Sequence, residues 1–218
     1  MKTQERRALA VIDAQVDFIN GSLAVPGGER NIDKINQATR AYGRAALPIA
    51  TTQDWHPKHT AHFANEPNYV DTWPVHCVAG SAGAELYPDL DVSQHHALAT
   101  RFIKGVEACQ SPADDNSYTG ALARNSETGL FLPEWLKQHQ IEEVDVLGYA
   151  IGDGDEHPLC VDSTARDLQK LGFRVNVITD VVEEVLPENR AKCFKSLGEK
   201  GIRLITLEQL LQEIGHGE

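Results

Sequence analysis

Short apolar runs alternate along this chain with segments whose apolar residues recur at helical spacing. Runs typical of strands occur at Ala8–Asp13, Leu47–Thr52, Ala97–Ile103, Val144–Tyr149, Arg174–Thr179 and Ile202–Ile205. Helical patterns cover Asn31–Tyr42, Leu130–His139, Val161–Leu171 and Pro187–Lys200, and the capping box Thr206-Leu207-Glu208-Gln209 begins a last helix. Strands that alternate with helices predict an α/β fold in which a parallel sheet is covered by helices on both faces.

Length and charge narrow the classes of protein that fit this pattern. The chain has 218 residues, which suits a single domain over residues 1–218. The apolar run that ends at Asp13 is too short for a signal peptide, and no run of about 18 apolar residues predicts a membrane span. The net charge of −12 opposes binding to nucleic acid. A cytoplasmic protein with neither a membrane nor a nucleic-acid partner is expected.

Four chemically active side chains stand at the ends of predicted strands. Asp13 ends the first strand, Asp54 follows the second, Lys104 follows the third, and Cys160 lies between the fourth strand and a helix. Parallel sheets bind ligands beyond the carboxyl ends of their strands, so these side chains are expected to converge. The alternative for each residue is ordinary: a turn-forming Asp, a solvated Lys or a buried, inert Cys.

The chemistry of this set is coherent for nucleophilic catalysis. The thiolate is the reactive form of cysteine, and a helix N-terminus such as the one after Cys160 lowers the pKa of a thiol. Asp13 is the candidate that takes the thiol proton and later delivers it to a leaving amine. Lys104 is the candidate that holds Asp13 in place and tunes its pKa.

A second group of candidate residues lies in the irregular region Gln53–Gln94. The stretch DWHPKHTAHF supplies Asp54, His56, His59 and His62, and DTWPVHC supplies His76. One carboxylate and several imidazoles suit a divalent cation such as Zn²⁺, Fe²⁺ or Mn²⁺, with His59 competing with His62 for one ligand position. The alternative interpretation is a set of surface histidines in a loop.

At this point the chain resembles the isochorismatase-like cysteine hydrolases, and most closely their nicotinamidase branch, which also includes pyrazinamidases. The resemblance runs from about Ala8 to Leu207 and is carried by VIDAQVDFINGSLAVPGG, TTQDWHPKHTAHF, DTWPVHC, FIKG and CVDSTARDLQKLGF. It implies a six-stranded parallel sheet with helices on both faces, in a Rossmann-like three-layer arrangement. It implies a catalytic triad of Asp13, Lys104 and Cys160. It also implies one divalent metal ion, most commonly zinc, with iron or manganese as alternatives. The implied ligands of this ion are Asp54, His56, His62 and His76.

The resemblance also implies a reaction. Phe18 and Trp73 match aromatic positions that flank the ring of nicotinamide. The implied activity is that of a metal-dependent amidohydrolase, which converts nicotinamide to nicotinate and ammonia through a cysteine thioester while the metal orients the pyridine ring. Salvage of nicotinamide towards NAD is the implied role. A homo-oligomer is a further expectation, because many members of this fold associate.

One segment departs from the family pattern. The family usually has a short link, G-hydrophobic-A-x-D/E-x-C-V, between the fourth strand and the nucleophile, whereas this chain has GYAIGDGDEHPLCV. About six extra residues therefore precede Cys160, in a link that normally contains a cis peptide bond and helps to form the oxyanion hole. Three interpretations stay open: the insertion bulges outward, remodels the oxyanion hole, or forms a new lip over the pocket. Asp153, Asp155 and His157 within it suggest either extra metal ligands or a solvated turn.

Two alternatives to the implied function follow. The first is a hydrolase of another small amide, or of a vinyl ether, on the same fold. The second is a non-catalytic member that binds a metal or a partner protein, because the insertion before Cys160 disrupts the oxyanion hole. The histidine group separates nicotinamidase activity from the first alternative, and catalysis that depends on Cys160 separates it from the second.

Overall fold

Six parallel strands form the centre of this protein in a computed structural model that describes residues 6–94 and 99–215. The strands are β1 (Arg7–Ile12), β2 (Ile49–Asp54), β3 (Thr100–Lys104), β4 (Glu143–Ile151), β5 (Arg174–Glu184) and β6 (Arg203–Ile205). Their order across the sheet is β3-β2-β1-β4-β5-β6, and all neighbouring pairs are parallel. Because the strand order reverses beside β1, the sheet has a switch point where open α/β folds bind ligands.

Helices connect the strands and cover the two faces of the sheet. They are α1 (Val16–Ile19), α2 (Ile32–Arg44), α3 (Asp91–Gln94), α4 (Leu132–Gln138), α5 (Cys160–Lys170), α6 (Asn189–Glu199) and α7 (Leu207–Gly215). Leu9 and Val11 of β1 belong to the core that α2 and α7 cover, and Ala8, Ala10 and Ile12 belong to the core that α4, α5 and α6 cover. Successive side chains of one strand therefore serve opposite faces, as a fully buried parallel strand requires.

The strand predictions agree with the structure in number and type and differ in their ends. β4 continues to Ile151 and β5 continues to Glu184, beyond the predicted ends at Tyr149 and Thr179. Thr179 and Asp180 break the apolar pattern of β5, but the strand resumes because Val181 and Val182 are buried. Irregular pairing between β4 and β5 accompanies this extension.

The remaining differences are small. β3 begins at Thr100, and the predicted start of that strand at Ala97 and Leu98 lies outside the described residues. The first helical residue after β4 is Cys160 itself, one position before the predicted start at Val161. Among the described residues, no helix is long and apolar enough to cross a membrane.

Candidate active site

The sheet brings the four strand-end side chains together. Asp54 and Lys104 end β2 and β3 and are direct partners in the parallel register. Asp13 follows β1, and Cys160 is the first residue of α5. Ligand atoms of Asp13, Asp54 and Cys160 all lie within 4.8 Å of one another. The convergence that the sequence predicts at the carboxyl edge of the sheet is therefore present.

Lys104 is the centre of this group. Its Nζ lies 2.8 Å from Asp13 Oδ2 and 3.4 Å from Cys160 Sγ, and it also donates a hydrogen bond to Asp54 Oδ1. All four residues are buried. One ammonium group therefore compensates two carboxylates that would be costly to bury without a partner.

The electrostatics of the group determine the protonation state of the thiol. Burial raises the pKa of the Cys160 thiol well above its usual value, and the carboxylates of Asp13 and Asp54 add to this effect, which Lys104 only partly opposes. The sequence-based expectation that the helix N-terminus lowers this pKa is thus not what the complete surroundings produce. Cys160 is therefore a thiol at rest, and it would need a base before it could react as a nucleophile.

Asp13 has the properties of that base. Burial raises the pKa of its carboxyl group, although the nearby Lys104 charge opposes the rise, and a carboxylate with a raised pKa accepts a proton more readily. Thr52 Oγ1 donates to Asp13 Oδ1 at 2.7 Å and fixes the other oxygen. The backbone of Asp13 has a φ of 46°, a left-handed conformation that is uncommon outside glycine and that clusters at functional sites.

The second group consists of three buried histidines. Ligand atoms of His56, His62 and His76 lie within 4.8 Å of one another, whereas His59 is exposed. Asp54 borders this group, since its Oδ2 lies 3.6 Å from His56 Nε2. The structure therefore places His62 rather than His59 in the cluster, and Asp54 stands between the histidines and Lys104.

The histidine side chains are oriented as metal ligands require. In each ring, Nδ1 faces an acceptor: Gly105 O at 3.2 Å for His56, Asp115 Oδ2 at 3.1 Å for His62, and Pro74 O at 2.8 Å for His76. Such partners fix the tautomer and leave Nε2 free to bind a cation. The Nε2 atom of His62 is buried and has no hydrogen-bond partner among the described residues. Three imidazoles beside a carboxylate fit a borderline divalent cation.

The protonation of His76 also suits metal binding. Burial, assisted by the neighbouring His56, lowers the pKa of His76 to about 4. The ring is therefore neutral at physiological pH, and the neutral imidazole is the form that binds a metal ion.

Several supporting residues were missed by the sequence reasoning. Asp115 holds His62, and Gln15 holds Asp54 by accepting from its backbone N–H and donating to its backbone carbonyl, both at 2.8 Å. Gly105 leaves room for a ring, because a Cβ at this position would lie 2.5 Å from His56 Cε1. Gly105 and Gln15 lie within the segments that carry the resemblance, but only the folded chain shows what they contact.

A pocket joins the thiol to the histidine cluster. Trp73 and Phe18 contribute aromatic rings to its wall, and Trp73 Nε1 donates to Tyr118 Oη at 2.8 Å. The other lining residues come from both groups and from apolar neighbours: Leu23, Val25, Asp54, His56, His62, His76, Asp115, Ser117, Tyr118, Ala150, Leu159, Cys160 and Val185. A small aromatic ligand in this pocket would lie between the sulfur and the imidazoles.

The insertion before Cys160 lies outside this pocket. Of the residues that the structure describes between Ala150 and Cys160, only Ala150, Leu159 and Cys160 line the pocket. The cis peptide bond of the link joins Tyr149 to Ala150. The structure thus favours the first interpretation, in which the extra residues bulge outward.

The acidic residues of the insertion do not form the predicted ligand set. Asp155 pairs with Lys200 and Arg166, while the group that could share an ion consists of Asp153, Glu156 and His157. Glu156 and His157 are exposed, and clusters of exposed acidic groups are common without a metal. A solvated turn describes this segment best.

The fold and the site together define a class of α/β protein with a buried cysteine at the carboxyl edge of a parallel sheet. A family model for the isochorismatase domain matches residues 7–209. The chain therefore belongs to the isochorismatase family.

Curated relatives and solved structures narrow this comparison. The nicotinamidase of Escherichia coli is 33% identical over 92% of this chain and 95% of its own length, and the nicotinamidase/pyrazinamidase of Mycobacterium tuberculosis is 32% identical over 91% and 98%. Among solved structures, the pyrazinamidase of Pyrococcus horikoshii in complex with zinc is 30% identical, with a TM-score of 0.74 over 92% of this chain and 99% of that chain. PnC1 from L. infantum in complex with nicotinate is 30% identical, with a TM-score of 0.73 over 94% of both chains.

Proposed function

We propose that this protein is a nicotinamidase, a metal-dependent amidohydrolase that converts nicotinamide to nicotinate and ammonia. The observation that carries the proposal is the shared pocket, whose wall contains both the Cys160 thiol and the histidine cluster. The relatives named nicotinamidase, which the chain matches over most of its length, support the same substrate class.

The proposed substrate site uses the aromatic walls of the pocket. Phe18 and Trp73 are buried and face the site, so they would contact the two sides of a pyridine ring. The ring would point its nitrogen towards the histidines and its carboxamide towards Cys160.

Asp54, His56, His62 and His76 are the proposed ligands of one divalent ion, with zinc as the first choice and iron or manganese as alternatives. The bound ion would supply a positive charge that orients the pyridine nitrogen. The protein would hold the ion in place, since Gly105, Asp115 and Pro74 already fix the imidazole rings of the three histidines.

The first half of the proposed reaction forms the thioester. Asp13 takes the proton of Cys160, and the sulfur attacks the carboxamide carbon, so that the carbonyl electron pair moves onto oxygen. The backbone N–H of Cys160, the first residue of α5, has no acceptor within that helix and would stabilise this oxyanion. Protonated Asp13 then gives its proton to the nitrogen, the C–N bond breaks and ammonia leaves.

In the second half, Asp13 again acts first as a base and then as an acid. Water loses a proton to Asp13 and attacks the thioester carbon. The C–S bond breaks, the proton on Asp13 passes to the sulfur of Cys160, and the nicotinic acid that forms releases its remaining proton to solvent as nicotinate. Lys104 stays charged throughout, because the two carboxylates raise its pKa well above the ordinary value although burial opposes this.

Wider properties are part of the same proposal. The whole chain would form one isochorismatase-like domain that acts in the cytoplasm, in the salvage of nicotinamide towards NAD. Its partner would be the small-molecule substrate, with neither nucleic acid nor membrane, and copies of the chain would associate as a homo-oligomer.

Ammonia release tests the proposed activity. Metal-replete wild type should release ammonia from nicotinamide, and Cys160→Ala should lose at least about 10⁴-fold in kcat, as loss of a nucleophile does. His59→Ala, which removes an exposed histidine, is the matched control and should retain the activity. Wild type that releases no ammonia from either nicotinamide or pyrazinamide would overturn the proposal in favour of another amide hydrolase or a non-catalytic protein.

A further inference from the structure

The insertion before Cys160 is a closed excursion of the chain. Cys160 lies ten positions after Ala150, yet residues near the two ends of the extra segment are in contact. Asp153 N donates to His157 O at 3.3 Å, and a Cβ at Gly152 would lie 2.0 Å from His157 O and 2.8 Å from Leu159 N. The segment therefore leaves and rejoins the site at nearly the same place.

The outer part of the excursion packs on α6. Ser196 Oγ donates to Asp155 Oδ1 at 3.0 Å, and Lys200 pairs with the same carboxylate. Gly154 approaches α6 so closely that a Cβ there would lie 3.0 Å from Ser196 Cβ and 3.2 Å from Cys193 Cα. These contacts hold the outer part away from the pocket.

Asp162 holds the two ends of the excursion together. Its Oδ1 accepts hydrogen bonds from Gly152 N at 3.0 Å and from Leu159 N at 2.9 Å. Asp162 is fully buried and belongs to the first turn of α5. One oxygen of one side chain thus joins the residue that follows β4 to the residue that precedes the nucleophile.

This junction controls the backbone around the reacting carbon. Ala150 and Leu159 line the pocket on either side of the excursion, and Cys160 follows Leu159 directly. A displacement of Gly152 from Leu159 would move the Cys160 N–H relative to Ala150. Donors to an oxyanion must be placed within tenths of an ångström, so such a displacement would weaken the transition state more than the bound substrate.

We propose that Asp162 is a positioning residue that closes the base of the insertion and thereby keeps the oxyanion-binding backbone of Cys160 in place. This inference rests on the proposed function. The extra residues then have no direct part in the pocket. Asp155 secures their outer end, and Asp162 closes their base beside the backbone contact between Asp153 and His157.

The test compares Asp162→Ala with a matched control, Asp155→Ala, which releases the outer end only. Four quantities are measured in metal-replete protein: kcat and KM for nicotinamide, and the affinities for nicotinate and nicotinaldehyde, an inhibitor of the yeast nicotinamidase. The thiol adds across the aldehyde, so that a C–S bond forms and the carbonyl electron pair moves onto oxygen, while the thiol proton passes to Asp13. Aldehyde affinity therefore reports the oxyanion site, and nicotinate affinity reports the ring site.

Asp162→Ala should lower kcat and aldehyde affinity by about 10- to 100-fold while KM and nicotinate affinity change less than about threefold, as for an interaction made only in the transition state. Asp155→Ala should change none of the four by more than about twofold. A mainly structural role for Asp162 would instead lower the yield or stability of the protein without this selective loss. If Asp162→Ala fails to fold, Asp162→Asn keeps an acceptor oxygen and should show the same selectivity with a smaller loss.

Two results would overturn the inference: an active Asp162 variant with kcat and aldehyde affinity unchanged, or an equal loss in Asp155→Ala. Wild type that releases no ammonia from nicotinamide would overturn the proposed function instead. Aldehyde affinity in the same variants would then still decide the positioning role, because the addition of the thiol requires no amide hydrolysis.

Discussion

The two sides of the pocket are held in place in different ways. On the thiol side, Asp13, Lys104 and Cys160 stand where β1 and β3 end and where α5 begins, so the register of the sheet fixes them. On the histidine side, His62 and His76 come from the irregular chain after β2, where Asp115 and Cys109 contact the ring of His62 and Pro74 O contacts the ring of His76.

This difference predicts that substitutions on the two sides will have different effects on activity, stability and bound metal. A substitution on the thiol side removes either a buried charge or the proposed nucleophile from residues that the sheet holds in place. It should therefore stop hydrolysis or leave a buried charge without its partner. A change on the histidine side releases one ring and should first appear as a loss of bound metal. Substitutions on each side distinguish these two responses.

Lys104→Met should cause the largest loss. It leaves Asp13 and Asp54 buried without their common cation, and breaking a buried ion pair in this way costs about 3–5 kcal/mol of unfolding free energy. Activity should fall by at least about 10³-fold, since the base loses the group that positions it. Denaturant unfolding and ammonia release measure both effects.

The exposed Lys137 at the end of α4 provides the control. Lys137→Met should change neither stability nor activity noticeably. A Lys104→Met protein with wild-type stability would show that the sheet does not depend on this cation.

His62→Ala should act through the metal. The variant removes one imidazole from the cluster, and we expect metal affinity to fall by at least about 100-fold, beyond the loss typical for a residue that only supports a ligand. Elemental analysis after dialysis against a metal buffer measures this directly, and the free energy of unfolding of the metal-free protein should change little by comparison. His59→Ala should bind metal as wild type does, and equal losses in the two variants would contradict the assignment.

The same comparison explains how much the sequence could predict. The alternation of apolar runs predicts the six strands, and the rule that parallel strands end at one edge brings Asp13, Lys104 and Cys160 together. The proposed histidine ligands follow from residue type and from the resemblance, not from any period. Asp115, Gln15 and Asp162 could not be assigned, because their roles arise from contacts between segments distant in sequence or from the path of an unusual loop.

The pH dependence of stability tests the environment of Asp162. Burial raises the pKa of Asp162 to about 7, from an ordinary value of 3.8. Between these values the folded protein holds a proton that the unfolded chain has released, so the free energy of unfolding should fall as pH rises towards 7 and then level off. From pH 5.5 to 7 the fall should be about 1.6 kcal/mol, or about 16-fold in the unfolding equilibrium, because the folded carboxyl group is already half ionised at pH 7.

Asp162→Asn removes the titrating group while it keeps an acceptor for the two backbone donors. Its pH dependence of stability should be flatter than that of wild type over the same range. Parallel curves for the two proteins would show that the carboxyl group titrates normally.

Tyr118→Phe should have the smallest effect. Trp73 loses the acceptor of its indole N–H, a hydrogen bond worth about 1 kcal/mol, so KM for nicotinamide should rise about three- to fivefold with kcat nearly unchanged. Tyr69→Phe is the control, because it keeps the ring that packs against Trp73. A change in kcat without a change in KM would place Tyr118 in the chemistry and not in the ring wall.

In the proposed complex, one small ring reaches both sides of the pocket. The most direct measurement is the rate at which iodoacetamide alkylates Cys160, followed by mass spectrometry of its peptide, with and without nicotinate, in metal-loaded and metal-stripped protein. Nicotinate should slow alkylation at least about tenfold in the metal-loaded protein and far less in the metal-stripped protein, since protection follows ligand affinity. Equal protection in both forms, or no protection in either, would show that no single ring reaches both the thiol and the histidine cluster.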